Sequence, residues 1–309
     1  MILTTVVNSV LIMGFLIAVG FFLSKKGIVT HEVERAFTYM LMNIAIPALV
    51  VKAFNIEYSP EKMELGIKVI LVGFFYILAV LIINTLLLKR VGNEDKKKIL
   101  KYTGVLTNAG FMGFPVVYQI YGNEGTFFAS MYYIAVMIFM WTYGMSIFYD
   151  KIGKEEMRQM LFNPNMVSVY IGIFIFVFSV DIPDLGERMI DSVGAITTPL
   201  AMFIIGARIG RVSISTLLKD NLVYAGTFLR LIFYPAIMVA VLYFLELDPV
   251  IEGVCLVYSA LPPPAITVVI ASRFDGEVDF ASKIVVVSHI GSLATIPLMF
   301  AFCELMGVF

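Results

Sequence analysis

The sequence contains little charge and few of the residues that build metal or catalytic centres. Asp, Glu, Lys and Arg make up 15% of its 309 residues, whereas about a quarter is usual for soluble domains. It has two histidines and two cysteines. Cys255 and Cys303 lie in apolar runs, which indicates packing residues rather than a disulfide or a metal site. The net charge of −1 offers no basic surface for nucleic acid, and no metal or other cofactor is expected.

Apolar residues account for 60% of the chain, and they are concentrated in runs of about the 20 residues that a helix needs to cross a bilayer. No basic segment precedes the first run, which predicts a retained span rather than a cleaved signal. A cap residue followed by proline marks three helix starts, at Ser59, Asn163 and Asp248. The predicted spans are 3–24, 34–54, 63–88, 99–120, 124–149, 164–181, 187–208, 221–245, 250–272 and 279–303.

The positive charges predict the orientation of these ten spans. With the N-terminus outside, 17 of the 22 lysines and arginines fall at cytoplasmic ends, 4 at outer ends, and Arg230 within a span. Cytoplasmic loops of membrane proteins carry an excess of Lys and Arg. The sequence therefore predicts a multi-pass protein of the cytoplasmic membrane with both termini outside.

An internal repeat relates the two halves of the chain. Gly20 matches Gly172 and Pro47 matches Pro199, each pair 152 residues apart. Because each half holds five spans, an odd number, the second half enters the membrane from the opposite side, which is a common plan of secondary transporters. We therefore predict an all-α integral membrane fold with a 5+5 inverted repeat, and a transporter rather than an enzyme. The two repeats are residues 1–150 and 151–309.

Spans 4 and 9 are interrupted at matching positions. Gly104–Pro115 contains three glycines, an asparagine and a proline, and Ser259–Pro264 ends in three consecutive prolines. Prolines lack an N–H and push the preceding residue out of the helix, and the freed backbone groups must be buried in protein or line a polar cavity. Each half-helix that restarts presents N–H groups and a positive dipole end, which favours an anion. Gly110 lets the backbone approach a ligand, and Ala265 offers an early donor after the prolines.

These motifs resemble the auxin efflux carrier family, which includes the plant PIN-type auxin exporters and bacterial malate or malonate permease-like transporters. The resemblance covers the whole chain. It implies crossing broken helices 4 and 9, a scaffold of spans 1, 2, 6 and 7, a transport unit of spans 3–5 and 8–10, elevator-type movement and a homodimer. It also implies substrate contact by Asn108. The motifs that carry it are Thr107–Pro115 with Tyr121-Gly122, Ala260-Leu261-Pro262, Thr198-Pro199-Leu200, Ile205-Gly206-Ala207 and Asn163-Pro164.

The sequence departs from the plant carriers at the substrate motifs. Plant carriers place proline before the asparagine, where this chain has Thr107, and they have one proline in span 9, where this chain has Pro262-Pro263-Pro264. The long loop between spans 5 and 6 is reduced to about residues 150–163. Auxin itself and loop phosphorylation are therefore not carried over from the family.

Five polar residues within the spans have alternative interpretations. Asn108 is a substrate contact or a helix cap, and Arg230 serves an anionic solute or pairs with Asp191 or another acid. His289 carries a proton or is a packing residue. Asn43 is favoured as a local repair of the carbonyl of residue 43, which Pro47 leaves without its donor; Asn84 is ambiguous. The predicted substrate-binding residues are Asn108, Thr107, Gly110, Pro262, Pro263, Ala265 and Arg230, with His289, Asn43 and Asn84 as possible coupling or support residues.

The favoured function is a secondary carrier of a small organic anion, auxin-like or carboxylate. A sodium-coupled carrier resembling the bile acid symporters is an alternative, although spans 4 and 9 lack acidic residues at their centres. A receptor or a membrane-embedded enzyme is the alternative of another class. The paired breaks argue against a receptor, and the lack of clustered His, Asp and Glu at membrane depth argues against a metal-dependent enzyme. Proton coupling, sodium coupling and no coupling all remain open.

Overall fold

Over its described residues the chain folds into helices joined by loops. The structure, a computed structural model, describes residues 2–148, 153–212, 220–274 and 276–308, without the side chains of Glu155, Glu156 and Met160. The predicted end of span 5, at 149, and the cations Lys151 and Lys219 lie outside these ranges. The helices are α1 (Ile2–Lys25), α2 (His31–Met40), α3 (Ile46–Ala53), α4 (Pro60–Leu87), α5 (Glu94–Val105), α6 (Phe114–Phe139), α7 (Lys154–Phe162), α8 (Pro164–Val177), α9 (Asp184–Gly194), α10 (Thr197–Arg211), α11 (Asn221–Phe228), α12 (Tyr234–Leu245), α13 (Pro249–Ala260), α14 (Thr267–Arg273) and α15 (Val278–Met306).

Large apolar side chains cover much of the outer surface. Leu11 is 66% exposed, Phe15 67%, Phe75 62% and Phe244 80%. A soluble monomer rarely exposes contiguous apolar surface on this scale, whereas a helix that faces lipid does so without cost. Seven helical stretches in the described part of the chain are long and apolar enough to cross a membrane, and two shorter apolar helices, α8 and α13, accompany them. The molecule is a multi-pass membrane protein.

The three predicted cap-and-proline helix starts are present. Ser59 accepts a hydrogen bond from the amide of Lys62 at the start of α4. Asn163 and Asp248 do the same for the first turns of α8 and α13. These caps satisfy amides that have no partner within the helix.

Three long helices contain a π-turn that ends two residues before a proline. The turns are Leu41–Ala45, Ala109–Gly113 and Leu229–Phe233, and the prolines are Pro47, Pro115 and Pro235. A proline removes the N–H donor and its ring clashes with the carbonyl four residues earlier. A single π-turn shifts the hydrogen-bond register there, so the helix continues past the proline instead of ending.

Predicted span 7 is interrupted rather than continuous. It consists of α9 and α10, separated at Ala195 and Ile196. Pro199 is the cause, because it has no N–H for the carbonyl of Ala195 four residues earlier. The predicted span over 187–208 lies within the stretch Asp184–Arg211, which is long and apolar enough to cross a membrane and contains this interruption.

Two groups of helices can be distinguished by their packing, and α1 with α15 and α3 with α6 pack across the boundary between them. In the first, α10 packs against α1 and α2, and α3 packs against α8 and α9. In the second, α4 packs against α5 and α6, α6 against α13, and α15 against α11 and α14. The breaks of spans 4 and 9 both belong to the second group.

Candidate functional site

The two predicted breaks are present and touch each other. Helix α5 ends at Val105, and α13 ends at Ala260 before an extended Leu261. The backbone amide of Asn108 donates a hydrogen bond to the backbone carbonyl of Pro262 at 2.8 Å. The crossing therefore joins parts of the chain that lie more than 150 residues apart, and it is buried on both sides, since Asn108 is 3% exposed and Pro262–Pro264 are buried.

The side chain of Asn108 points to a histidine rather than to its own helix. Its Nδ2 lies 2.9 Å from Nε2 of His289, and Nδ1 of His289 lies 2.8 Å from the carbonyl of Val285. A carbonyl only accepts, so Nδ1 carries the proton and Nε2 accepts from the amide, which defines a neutral imidazole. The alternative role of the Asn108 side chain as a helix cap is wrong, because the side chain makes no capping bond.

Arg230 bonds to the backbone at the break of span 9. Its Nε donates to the carbonyl of Leu261 at 2.8 Å and Nη2 to that of Tyr258 at 3.4 Å. Pro262 has no N–H for the carbonyl of Tyr258, so the guanidinium replaces a donor that the prolines remove. The predicted pairing with Asp191 is wrong, since Asp191 forms its ion pair with Lys52. A full positive charge is thus buried beside the crossing, with Arg230 only 2% exposed.

Three further predicted residues lie along the crossing. Thr107 is 3% exposed, and its hydroxyl has no partner among the described residues. Gly110 is partly exposed and faces Met42 and Asn165. Ala265 is 4% exposed and lines a small cavity of about 10 Å³ together with His289. Pro263 is buried in the break itself.

The two asparagines predicted as support residues lie outside the crossing. Asn43 donates to the carbonyl of Tyr39 at 2.8 Å, within its own helix. This is a local bond, as favoured, but it serves Tyr39 rather than the carbonyl of residue 43. Oδ1 of Asn84 accepts from the Tyr234 hydroxyl at 2.7 Å and lies 2.6 Å from the position that a Cβ on Gly104 would take. Asn84 therefore packs α4, α5 and α12 together.

The structure adds two residues that the sequence did not single out. Asn165 is 1% exposed beside Gly110, and its Oδ1 has no partner in the described part of the chain. The guanidinium of Arg208 lies 5.4 Å from the centre of the Phe111 ring. Asn165 directly follows a cap-and-proline motif, and Arg208 counted only as a cation at a span end, so neither carried a separate signal. Among the described residues no group of three or more His, Cys, Asp and Glu could hold a metal ion.

A multi-pass helical protein in which two broken helices meet at buried backbone has the general construction of a membrane carrier. The family model "Membrane transport protein" matches residues 5–300, and the chain belongs to this family, the auxin efflux carriers. An uncharacterized transporter of Methanothermobacter thermautotrophicus is 23% identical over 300 residues, covering 96% of both chains. The uncharacterized transporter MJ1031 of Methanocaldococcus jannaschii is 22% identical over 297 residues, covering 94% of this chain and 96% of the relative. The protein is a transporter and not an enzyme.

Proposed function

We propose that the protein is a secondary carrier that moves a small organic anion across the cytoplasmic membrane by elevator-type alternating access. The observation that carries this proposal is the crossing, where the backbone amide of Asn108 donates a hydrogen bond to the Pro262 carbonyl beside the buried charge of Arg230. Helix starts and a guanidinium together attract an anion. The site comprises Asn108, Thr107, Gly110, Pro262, Pro263, Ala265 and Arg230.

Ten spans account for the helices better than seven. The stretch Glu94–Gly144 has 51 residues, more than twice the about 20 that one crossing needs. It is broken after Val105 and again at Gly122, whose φ of 61° interrupts α6. It therefore supplies spans 4 and 5. The short helix α8 supplies span 6, and α13 with α14 supplies span 9 on either side of its break.

The inverted repeat is supported by two equivalent helix contacts. In span 1, Gly20 lies against the backbone of Phe203 in span 7, and a Cβ would come within 2.5 Å of its carbonyl oxygen. In span 6, Gly172 lies against Phe54 at the end of span 2, where a Cβ would come within 2.4 Å of the ring. The repeat equates span 1 with 6 and span 2 with 7. The two contacts therefore join equivalent pairs of spans, each at the matched glycine, although Phe203 meets Gly20 with its backbone and Phe54 meets Gly172 with its ring.

The two groups of helices supply the two bodies of an elevator. The first group contains spans 1, 2, 6 and 7 and forms the scaffold; the second contains spans 3–5 and 8–10 and carries the crossing. Asn108, Arg230 and His289 all belong to the second group, so the site moves as a unit. Family membership favours a homodimer through the scaffold.

We propose that protons are coupled to transport through the tautomer of His289. A proton added to Nε2 turns this acceptor into a donor, so Asn108 must turn its amide and present Oδ1 to the ring. The NH₂ group of Asn108 then faces away from His289 and is free to donate to a carboxylate. The charged group facing His289 from the neighbouring α10 is Arg208, which lines the same small cavity. Proton and anion binding are thereby linked, giving proton–anion symport.

The proposal is tested first by finding a substrate. Purified protein is screened by thermal shift against carboxylates and indoles, with and without sodium, since a ligand of the folded state stabilises by mass action. Uptake of a stabilising compound into proteoliposomes is then compared for Asn108→Ala and for the exposed control Asn221→Ala. We expect uptake to fall at least tenfold in the first variant and to be unchanged in the second. Normal uptake by Asn108→Ala would remove the crossing as the site, and sodium-dependent uptake would favour a sodium symporter.

The orientation has its own test. Both termini lie outside in this proposal, and Lys97, before span 4, lies in the cytoplasm. In a variant without Cys255 and Cys303, Lys97→Cys is expected to resist a membrane-impermeant thiol reagent in intact cells and to react after lysis. Labelling from outside would reverse the orientation.

A further inference from the structure

A cavity of about 370 Å³ opens between the scaffold group and the transport group, at the end of the molecule where α2 begins and α10 ends. Its walls differ in chemistry. One side is polar and charged, from α2 and α10, and the opposite side is made of valines and Ala265 from the chain around α14 and α15. The lining residues are His31, Glu34, Arg208, Arg211, Val212, Ala265, Val268, Val269, Ser282, Val285 and Val286.

The charged side carries one positive charge in excess. Arg208 donates Nε to Glu34 at 2.6 Å, and Arg211 pairs with the other oxygen of the same carboxylate. Arg211 also donates to the Val29 carbonyl at 3.1 Å and lies 3.2 Å from Nδ1 of His31. One carboxylate thus serves two guanidiniums. Each arginine side chain remains about a quarter exposed, while Glu34 is 11% exposed, so the arginines present charge to the cavity.

The cavity adjoins the crossing. The smaller cavity beside His289 shares Arg208, Ala265, Val285 and Val286 with it. The Arg208 guanidinium also lies over the ring of Phe111, in the first turn after the span 4 break. In the described part of the chain, the amides of Ala265 and Ile266 have no hydrogen-bond acceptor. A ligand in this cavity therefore lies next to the smaller cavity that is lined by His289, the bonding partner of Asn108.

We propose that this cavity is a second binding site, which takes an amphipathic organic monoanion before it reaches the crossing. Its carboxylate binds Arg208 and Arg211 in competition with Glu34, and its apolar body packs against the valines of α14 and α15. Paired arginines suit a carboxylate because their planar donors match its two oxygens. The volume lies within the range of pockets for small organic ligands. The proposal rests on the proposed function and narrows its substrate class to monoanions with a substantial apolar part.

Octanoate serves as the probe and acetate as the matched anion without an apolar body. Binding of radiolabelled octanoate to the full-length protein in lipid nanodiscs is measured by equilibrium dialysis, with empty nanodiscs subtracted. We expect Arg211→Gln to weaken binding at least tenfold and the exposed control Arg35→Gln to leave it unchanged. Acetate is expected to compete at least a hundredfold less well than octanoate. Octanoate binding that Arg211→Gln does not weaken, or equal competition by acetate, would overturn the proposal.

Two further variants distinguish loss of the second site from misfolding and from binding at the crossing alone. Glu34→Gln removes the competing carboxylate, so octanoate should bind severalfold more tightly, the opposite sign from a general loss of folding. Unchanged or weaker binding in this variant also counts against the site. Asn108→Ala is expected to keep this octanoate binding while losing transport. If Asn108→Ala instead abolishes binding and Arg211→Gln does not, the ligand sits only at the crossing, and the carrier function stands without the second site.

Discussion

Asn108 donates its side-chain amide to Nε2 of His289 at 2.9 Å, a bond between residues 181 positions apart in the chain. It links the break of span 4 to the middle of α15, and it joins the residue expected to touch the substrate to an imidazole whose Nε2 accepts a hydrogen bond. The bond fits only a neutral imidazole, so the state of His289 sets which face Asn108 offers to a ligand.

Replacement of His289 by glutamine should uncouple transport from the proton gradient. Glutamine has a similar reach and can accept from Asn108, but it cannot take up a proton. We expect His289→Gln proteoliposomes to bind and exchange substrate, while an imposed pH gradient no longer drives accumulation. Counterflow and gradient-driven uptake measured side by side separate the two activities. Gradient-driven accumulation equal to that of the wild type would exclude His289 as the proton carrier.

Arg230 is predicted to hold the span 9 break in place. Its loss leaves the carbonyls of Tyr258 and Leu261 without these donors in a buried setting. Hydrogen bonds that involve a charged group contribute about 1.5–3 kcal/mol each. We expect Arg230→Gln to lower the free energy of unfolding by a few kcal/mol, seen as a lower melting temperature in detergent.

The lysine variant separates charge from geometry at this position. Arg230→Lys keeps the positive charge but lacks the planar fork that reaches two carbonyls. If the bonds to the break matter, Arg230→Lys should be destabilised nearly as much as Arg230→Gln. If the charge alone attracts the anion, the lysine variant should transport well, and a stable, active Arg230→Gln protein would contradict both roles.

The sequence predicted the breaks and caps because their causes are local. Pro262–Pro264 have no N–H groups wherever they lie, and Ser59 caps the helix that starts at the next residue. The interruption at Ala195 has the same kind of local cause in Pro199, which has no N–H to donate. Local rules of this kind fix where helices start, bend and stop.

The partners of the buried polar groups could not be predicted, because they depend on how distant helices pack. Nothing near His289 in the sequence points to Asn108. Arg230 was expected to need an anion, either a protein carboxylate or the solute, since an unpaired charge at membrane depth is costly. Its partners are instead the carbonyls of Tyr258 and Leu261 at the break of span 9. These partners depend on how span 8 packs against span 9.

Gly206 should tolerate no larger side chain. A Cβ there would lie 2.0 Å from the carbonyl oxygen of Ile17 and 2.8 Å from the amide nitrogen of Phe21. These are backbone atoms of α1, so the helices must move apart. Alanine gains about 1 kcal/mol of helix propensity over glycine, whereas overpacking costs about 1–3 kcal/mol. We expect Gly206→Ala to lower the melting temperature in detergent.

Gly14 is the matched control in α1. A Cβ at Gly14 would meet only a methyl carbon of Leu293, at 3.9 Å, which is ordinary contact. Gly14→Ala should therefore be neutral or slightly stabilising. Equal destabilisation by both changes would mean that the close approach of α1 and α10 does not limit residue size at position 206.

The ion pair of Lys96 and Asp220 is expected to contribute stability that disappears in acid. Lys96 Nζ lies 2.7 Å from Asp220 Oδ2, and Asp220 also caps α11 by accepting from the amide of Leu222 at 3.0 Å. Burial by itself would raise the pKa of Asp220, but the bonds from Lys96 and Leu222 outweigh it and hold the pKa below its ordinary value. The contribution is therefore complete above the unfolded pKa of about 4 and is lost as the pH falls through the lower folded pKa.

Two variants separate the contribution of the Asp220 charge from the contribution of its capping hydrogen bond to α11. Both side chains are more than a fifth exposed, so the ion pair is worth at most about 1 kcal/mol after solvent screening. Asp220→Asn keeps a capping oxygen and loses only the charge, and Asp220→Ala loses the cap as well, for about 1 kcal/mol more. The melting temperature of Asp220→Asn should lie below that of the wild type at pH 7, and the difference should shrink below pH 4. A difference that does not change with pH would mean that the charge of Asp220 contributes nothing and that its role is capping alone.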